Sequence, residues 1–404
     1  MVRISHTLQR ASLAALLLAT QVHGAQLKSA AKLAFDASGT LYIADWKAAR
    51  IYAVKVPAAS VPAATPFNLR DVQKPIAAAL KVREAMLRFD DLVVQPGSGT
   101  AYVSVSAGAR VAVVAVDASG KVRPLPTADL KSFAPITDAP AAGQTFWRDL
   151  PAPALTVTDM KYHDGKLYLS GLSNRNFASA LRVFDLPFNG AATSSTATVE
   201  MYHPVHNQIE TRAPIRAMTF VTVAGKPSMV AAYTCTPLVL IPLDAIKDGA
   251  HIVGKTIGEM GWGSAPVGMV SYKLGDSDMV LLANTSRSAD LMTVSDIARQ
   301  AGLPGLNEPI SWPDKPYSGV KATMTPMSAV TRFDNLDDKL LLALRRDGAS
   351  GAMQLVSIPK GVYLRLSDFV NEYDFKDYVY PPGDQFRDFH KYGRTIEGYA
   401  ELAR

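Results

Sequence analysis

The 404-residue chain has one cysteine, Cys235, so it can form no internal disulfide. Covalent c-type haem, which needs two cysteines and a histidine in one short run, is excluded with it. Charge is also sparse. Charged residues make up 19 % of the chain, the net charge is only +6, and no long run of one sign occurs. A nucleic-acid partner, which would call for a concentrated basic surface, is not expected. No phosphate-binding glycine loop, dinucleotide fingerprint, serine nucleophile elbow or His-Glu-x-x-His helix is present. Beyond the first 25 residues no apolar run is long enough to span a bilayer, so no integral membrane segment is expected after them.

Those first 25 residues are expected to be a signal peptide. Arg3 and Arg10 make a basic start, residues 11–19 an apolar stretch, and Gly24 and Ala25 supply small residues at a cleavage point. Export without disulfides fits a bacterial periplasm or secretion from a bacterium better than a eukaryotic exterior.

The remainder is organised by a loose repeat. The clearest copy runs through Lys32-Leu33-Ala34-Phe35-Asp36, a turn at Ala37-Ser38-Gly39, Thr40-Leu41-Tyr42-Ile43-Ala44-Asp45, and Arg50-Ile51-Tyr52-Ala53-Val54-Lys55-Val56. The same order returns over residues 91–116, 159–184, 216–243, 267–294 and 329–358. Short apolar runs rich in β-branched and aromatic residues, bounded by turn residues, predict strands. His163-Asp164-Gly165-Lys166 predicts a tight hairpin, because Asp-Gly tolerates positive φ at both central positions. Three-strand units recurring every ~50–65 residues predict a radial array of sheets. The expected fold is all-β: a six-bladed β-propeller, or a seven-bladed one if the first and last segments jointly build a further blade. It forms a single domain over residues 26–404, with blade blocks at 27–87, 88–154, 155–212, 213–262, 263–326 and 327–404. Short helices are expected within 75–87 and 291–303, and an outer strand at 197–202. The tail around 366–404 is rich in aromatic residues, from Phe369 to Tyr392, and reads as a ring-closing cover or a docking arm.

The stretch Leu33-Ala34-Phe35-Asp36-Ala37-Ser38-Gly39-Thr40-Leu41-Tyr42-Ile43-Ala44-Asp45 resembles the repeat of the NHL, SMP-30/gluconolactonase and YVTN-type β-propellers. The resemblance covers about 25 residues closely and the rest only in order and hydropathy. It implies a propeller. For the SMP-30-like branch it also implies a divalent cation at the ring centre and a hydrolase or lactonase activity. The matching glutamate motif of that branch is absent from this chain.

Repeat alignment names the residues expected on one face of such a ring. They are Asp45, Arg50, Asp91, Asp159, Asn174, Arg175, Arg216, Asn284, Arg287 and Arg345. Guanidinium groups recurring in different repeats favour an anionic small molecule or an acidic protein partner; arginines paired along a rim are the alternative. Asp45, Asp159, Asn174 and Asn284 could instead surround calcium. His203 and His206 lie three apart, and Cys235 falls in the facing loop of the next repeat, a donor set suited to zinc or copper. The leading expectation is a periplasmic binding propeller, accessory to a redox or metal-handling system. The alternative is a metal-dependent hydrolase at the central pocket.

Overall fold

The computed structural model describes residues 26–360, except 58–64, 128–129, 147–148, 189–192, 236, 262–263, 286–288, 311–317 and 328. The expected signal peptide, the aromatic tail and Arg287 lie outside the described residues. Among the described residues no helix is long and apolar enough to cross a membrane.

The chain is mostly β, and its sheets adopt a propeller-like arrangement. Sheet I contains Lys32–Phe35, Thr40–Asp45, Arg50–Lys55 and Phe133–Pro135. Sheet II contains Arg88–Val94, Thr100–Ala107, Arg110–Asp117 and Val122–Pro124. Sheet III contains Asp159–His163, Lys166–Leu172, Ser179–Asp185 and Ser195–His203. Sheet IV contains Ala217–Val223, Lys226–Ala232, Pro237–Pro242 and His251–Glu259. Sheet V contains Pro266–Leu274, Ser277–Asn284, Ala289–Thr293 and Thr323–Thr325. Sheet VI contains Val330–Asn335, Leu340–Arg346, Met353–Pro359 and the early strand Asn68–Leu69. Pairing within each is antiparallel. The outer strands of III and IV pair in parallel, from Thr198 opposite His251 to Met201 opposite Gly254, and so join these two into one larger sheet.

The first-written strand of each sheet is innermost. These inner strands pack side by side in the cyclic order I, III, IV, V, VI, II and back to I. Chain order and ring order therefore differ. After its third strand leaves sheet I, the chain supplies the outer strand of VI, builds II, returns to supply the outer strand of I, and then starts III. The expected blocks 27–87 and 88–154 are corrected by this. Residues 68–69 and 133–135 belong to sheets other than the ones their sequence neighbours build.

Sheet I shows why the sheets stack. Every residue of Thr40–Asp45 is buried. Leu41 and Ile43 face Val93, Tyr102 and Val113 of sheet II, while Tyr42 and Ala44 face Met160, Leu167 and Phe184 of sheet III. Strand alternation sends successive side chains to opposite faces, so one strand feeds two cores. Fully burying each Leu or Ile contributes about 1.5–3 kcal/mol. The hairpin at Asp164-Gly165 has φ of 45° and 74°, as the Asp-Gly pair predicts. Helices form at Gln73–Leu80 and Val294–Ala301; the Thr293 hydroxyl caps the second by accepting from the Asp296 N–H at 3.0 Å.

Candidate functional site

Neighbouring inner strands pack together without forming a ladder, so their inward N–H groups need other acceptors. Carboxylates supply them. Asp91 of sheet II accepts the Leu33 N–H of sheet I at 2.8 Å. Asp159 of sheet III accepts Met218 of sheet IV at 2.8 Å and its own neighbour Met160 at 2.9 Å. Asp334 of sheet VI accepts Val94 of sheet II at 2.9 Å and Asn335 at 2.8 Å. These aspartates staple adjacent sheets. Asp91 and Asp159 were expected as ligand oxygens; Asp334 was not singled out at all. An aspartate within the innermost strand of its sheet, where that residue type is disfavoured, is the signal that the three share.

The cations beside them are less committed. Lys32 Nζ stands 3.7 Å and Arg332 Nε 3.6 Å from Asp91 Oδ1, and Arg332 Nε donates to the Asp90 carbonyl at 2.7 Å. The buried Arg216 Nε has no hydrogen-bond partner among the described residues. Lys161 lines a cavity of about 800 Å³ together with Tyr162, Ser271, Asp334, Asn335 and Lys360. Among the described residues, no hydrogen bond or ion pair engages its ammonium. Burial acts to lower the Lys161 pKa, but the charges of Asp159, Asp334 and Asp91 outweigh it and hold the group above the ordinary lysine value. Burial raises the Asp334 carboxyl above the usual range, against the opposing pull of Lys161. Burial likewise lowers Lys32, with Asp91 opposing.

Among the described residues, Asp45, Arg50, Asn174, Arg175, Asn284 and Arg345 of the expected set do not converge on this axis. Asp45 is fully buried and accepts from Lys28 N at 2.7 Å, Ser29 Oγ at 2.7 Å and Ala48 N at 3.1 Å, which ties down its own loop. Arg50 stacks over the Phe133 ring at 4.3 Å. Asn174 and Arg175 are exposed in the loop after residue 172, where the Asn174 N–H reaches the Asp138 carbonyl at 2.8 Å. Asn284 donates to Asp290 at 2.9 Å, and Arg345 Nε to Gln354 at 2.9 Å. Among the described arginines of the expected set, Arg216 reaches the axis, beside Arg332; burial lowers its pKa, and the Arg332 charge adds to the fall.

A second cluster forms where sheets III and IV merge. His203 ends the outer strand of III, and the turn Pro204-Val205-His206-Asn207 leads into the short strand Gln208–Glu210, which folds back so that His203 pairs with Gln208. Cys235 comes from the loop between the second and third strands of IV. His203, His206 and Cys235 each present a donor atom, all within 4.8 Å of one another. Glu210 Oε1 accepts from His203 Nδ1 at 2.8 Å and His206 Nδ1 at 2.6 Å. The two rings lie 3.8 Å apart at their centroids. Glu259 Oε2, at the end of sheet IV's outer strand, is 3.8 Å from His203 Nε2. Burial pushes the Glu210 carboxyl up, but the hydrogen bonds from His203 and His206 overrule it and bring it down to about 2.

The sequence matches no protein-family model. No curated protein matches it either. Among solved structures, it is similar to a bifunctional GH43-CE protein of Bacteroides eggerthii, at 10 % identity and a TM-score of 0.31, over 67 % of this chain and 32 % of that one. A second is the xyloglucan PUL GH43B protein of Bacteroides ovatus, at 12 % identity and a TM-score of 0.31, over 74 % of this chain and 53 % of that one. The chain spans about a third and about half of the length of these two proteins. Neither likeness bears on activity.

Proposed function

We propose that the chain is a secreted, six-bladed β-propeller that binds a small anionic ligand on its axis. One observation carries the reading. Three axial aspartates are engaged by backbone N–H groups, while among the described residues the Lys161 ammonium and Arg216 Nε are not engaged. Asp91, Asp159 and Asp334 are each engaged by backbone N–H groups. Lys161 faces a cavity with its ammonium uncommitted, and Arg216 Nε is buried without a hydrogen bond among the described residues. A guest that supplies acceptor oxygens satisfies these groups, whereas a cation would compete with backbone N–H groups for the same carboxylates. That contrast favours anion binding over an SMP-30-like hydrolase built on a central divalent ion.

The test is calorimetric titration with phosphate, sulfate, succinate and citrate, at about 0.05 and about 0.3 M salt. At least one should bind, more tightly at low salt. Lys161→Met should weaken that anion about ten- to a hundredfold, the worth of one charge-assisted hydrogen bond. Absence of binding by all four, or equal affinity in both proteins, overturns the reading.

A further inference from the structure

We propose that His203, His206 and Cys235 hold one zinc or copper ion at the seam between sheets III and IV, with Glu210 orienting both imidazoles. This goes beyond the axial reading and rests on different residues.

Convergence is the first support. The three side chains come from a strand end, a turn and a loop of the neighbouring sheet, yet their donor atoms lie within 4.8 Å of one another. Two imidazoles and a sulfur suit zinc or copper and are poor ligands for calcium or magnesium, which want oxygen.

Orientation is the second. A single oxygen, Glu210 Oε1, lies 2.8 Å from His203 Nδ1 and 2.6 Å from His206 Nδ1. With the carboxylate as acceptor, each Nδ1 carries the proton it donates. A neutral imidazole that donates from Nδ1 keeps its Nε2 lone pair for a ligand. A carboxylate fixing the far nitrogen in this way is what a metal-binding histidine needs.

The third support is an unmet polar atom. His203 is 1 % exposed, and its Nε2 has no hydrogen-bond partner among the described residues. Leaving such an atom buried and unmatched costs about 1–3 kcal/mol. An ion would take up its lone pair. The 3.8 Å from His203 Nε2 to Glu259 Oε2 is too long for a hydrogen bond. It is near the separation of two atoms that each sit about 2 Å from a shared ion. Glu259 is thus placed to complete a fourth position.

Binding converts the Cys235 thiol to a metal-bound thiolate and releases its proton to solvent, so affinity rises with pH. Because His203 and His206 belong to sheet III while Cys235 and Glu259 belong to sheet IV, the ion ties the two sheets together. Metal that binds only the folded chain therefore raises the unfolding temperature.

The experiment uses the full chain stripped of metal with a chelator. Zinc(II), copper(I) and cobalt(II) are titrated separately, with metal content, cobalt absorption and thermal unfolding as readouts. One equivalent per chain is expected, with a sulfur-to-cobalt charge-transfer band and a higher unfolding temperature. Competition between zinc and copper(I) then shows which is preferred. Cys235→Ser should abolish the charge-transfer band, and Glu210→Gln should lower affinity about 10–100-fold at unchanged stoichiometry. His206→Asn, at a more exposed ligand, keeps the test open if a His203 variant fails to fold. Lys161→Met should leave metal binding untouched, so failure of the axial reading and failure of this one are separable. No metal above a tenth of an equivalent, or binding indifferent to Cys235→Ser, overturns the proposal.

Discussion

An aspartate on an inner strand can face the axis as a ligand or reach sideways to the next strand's backbone. In this chain the sideways role is filled by Asp91, Asp159 and Asp334. The carboxylates of the Asp-Ala-Ser-Gly turns act locally. Asp36 Oδ1 accepts from Ser38 N at 2.9 Å and Thr40 N at 2.8 Å, and Asp117 Oδ1 repeats the pattern with Ser119 and Lys121, both at 3.1 Å. Arg182, fully buried, is structural in the same sense: its guanidinium bonds Asp138 and the carbonyls of Thr156 and Leu172. A sequence shows that a charged residue sits in an apolar run, but not which neighbour it meets. Asp159→Ala should orphan two buried N–H groups, of Met160 and Met218, and cost about 2–5 kcal/mol. Met160 and Met218 use different oxygens, so Asp159→Asn keeps an acceptor for one N–H and faces an NH2 toward the other, and should cost about half as much or more. Urea denaturation midpoints check both; equal midpoints for Ala and wild type would make the staple energetically idle.

At the scale of elements, the strands of the three-strand repeat were legible, whereas the nine-residue outer strand His251–Glu259 and the shortest strands were not. The outer strand expected at 197–202 forms as Ser195–His203, and the helices expected within 75–87 and 291–303 form at Gln73–Leu80 and Val294–Ala301. Asn68–Leu69, Phe133–Pro135 and Thr323–Thr325 are too short to carry a period of two; they are strands because a sheet edge lies beside them. Close approaches between elements are equally invisible in sequence. Gly171, on the second strand of sheet III, abuts the turn Ala152–Leu155: a Cβ there would stand 2.1 Å from the Thr156 carbonyl oxygen. Gly171→Ala must move backbone, and should cost about 3 kcal/mol or yield no folded protein. Gly348→Ala, with nothing within 4 Å and no left-handed backbone, is the control for the residue change itself and should be far milder. Thermal unfolding followed by circular dichroism distinguishes them.

Across the whole molecule, the cycle of inner strands is locked by strands exchanged between segments distant in sequence. Phe67 N–H donates to Ser357 Oγ at 2.9 Å, Ser357 N–H to the Phe67 carbonyl at 3.0 Å, and Val72 N–H to the Met353 carbonyl at 2.7 Å. Phe67 and Val72 are 2 % and 0 % exposed. Each buried side chain contributes about 1.5–3 kcal/mol, so the segment holds sheet VI by more than its two-residue strand suggests. Replacing residues 67–72 with glycine and serine should lower stability by about 4 kcal/mol or more. It should also separate the unfolding midpoints seen by far-ultraviolet circular dichroism and by intrinsic fluorescence, which coincide when a ring opens as one unit. Coincident and unshifted midpoints would show that the closure is dispensable.

From residue order alone came the strand-rich character, the hairpin at Asp164-Gly165, the second-strand cores such as Leu41 and Ile43, and the proximity of His203 to His206. All of these depend on interactions a few residues apart or on an apolar pattern, and both are written locally. The tertiary structure alone decided that sheet I lies between II and III, that the 68–69 strand closes sheet VI, and that Asp91 and Asp159 serve the backbone. It also brought Glu210 onto both imidazoles and Cys235 across from the next sheet. Those contacts join residues tens to hundreds of positions apart. Their partners are chosen by which sheet faces can bury each other and by which buried N–H groups remain to be satisfied, and both are settled only when the sheets pack.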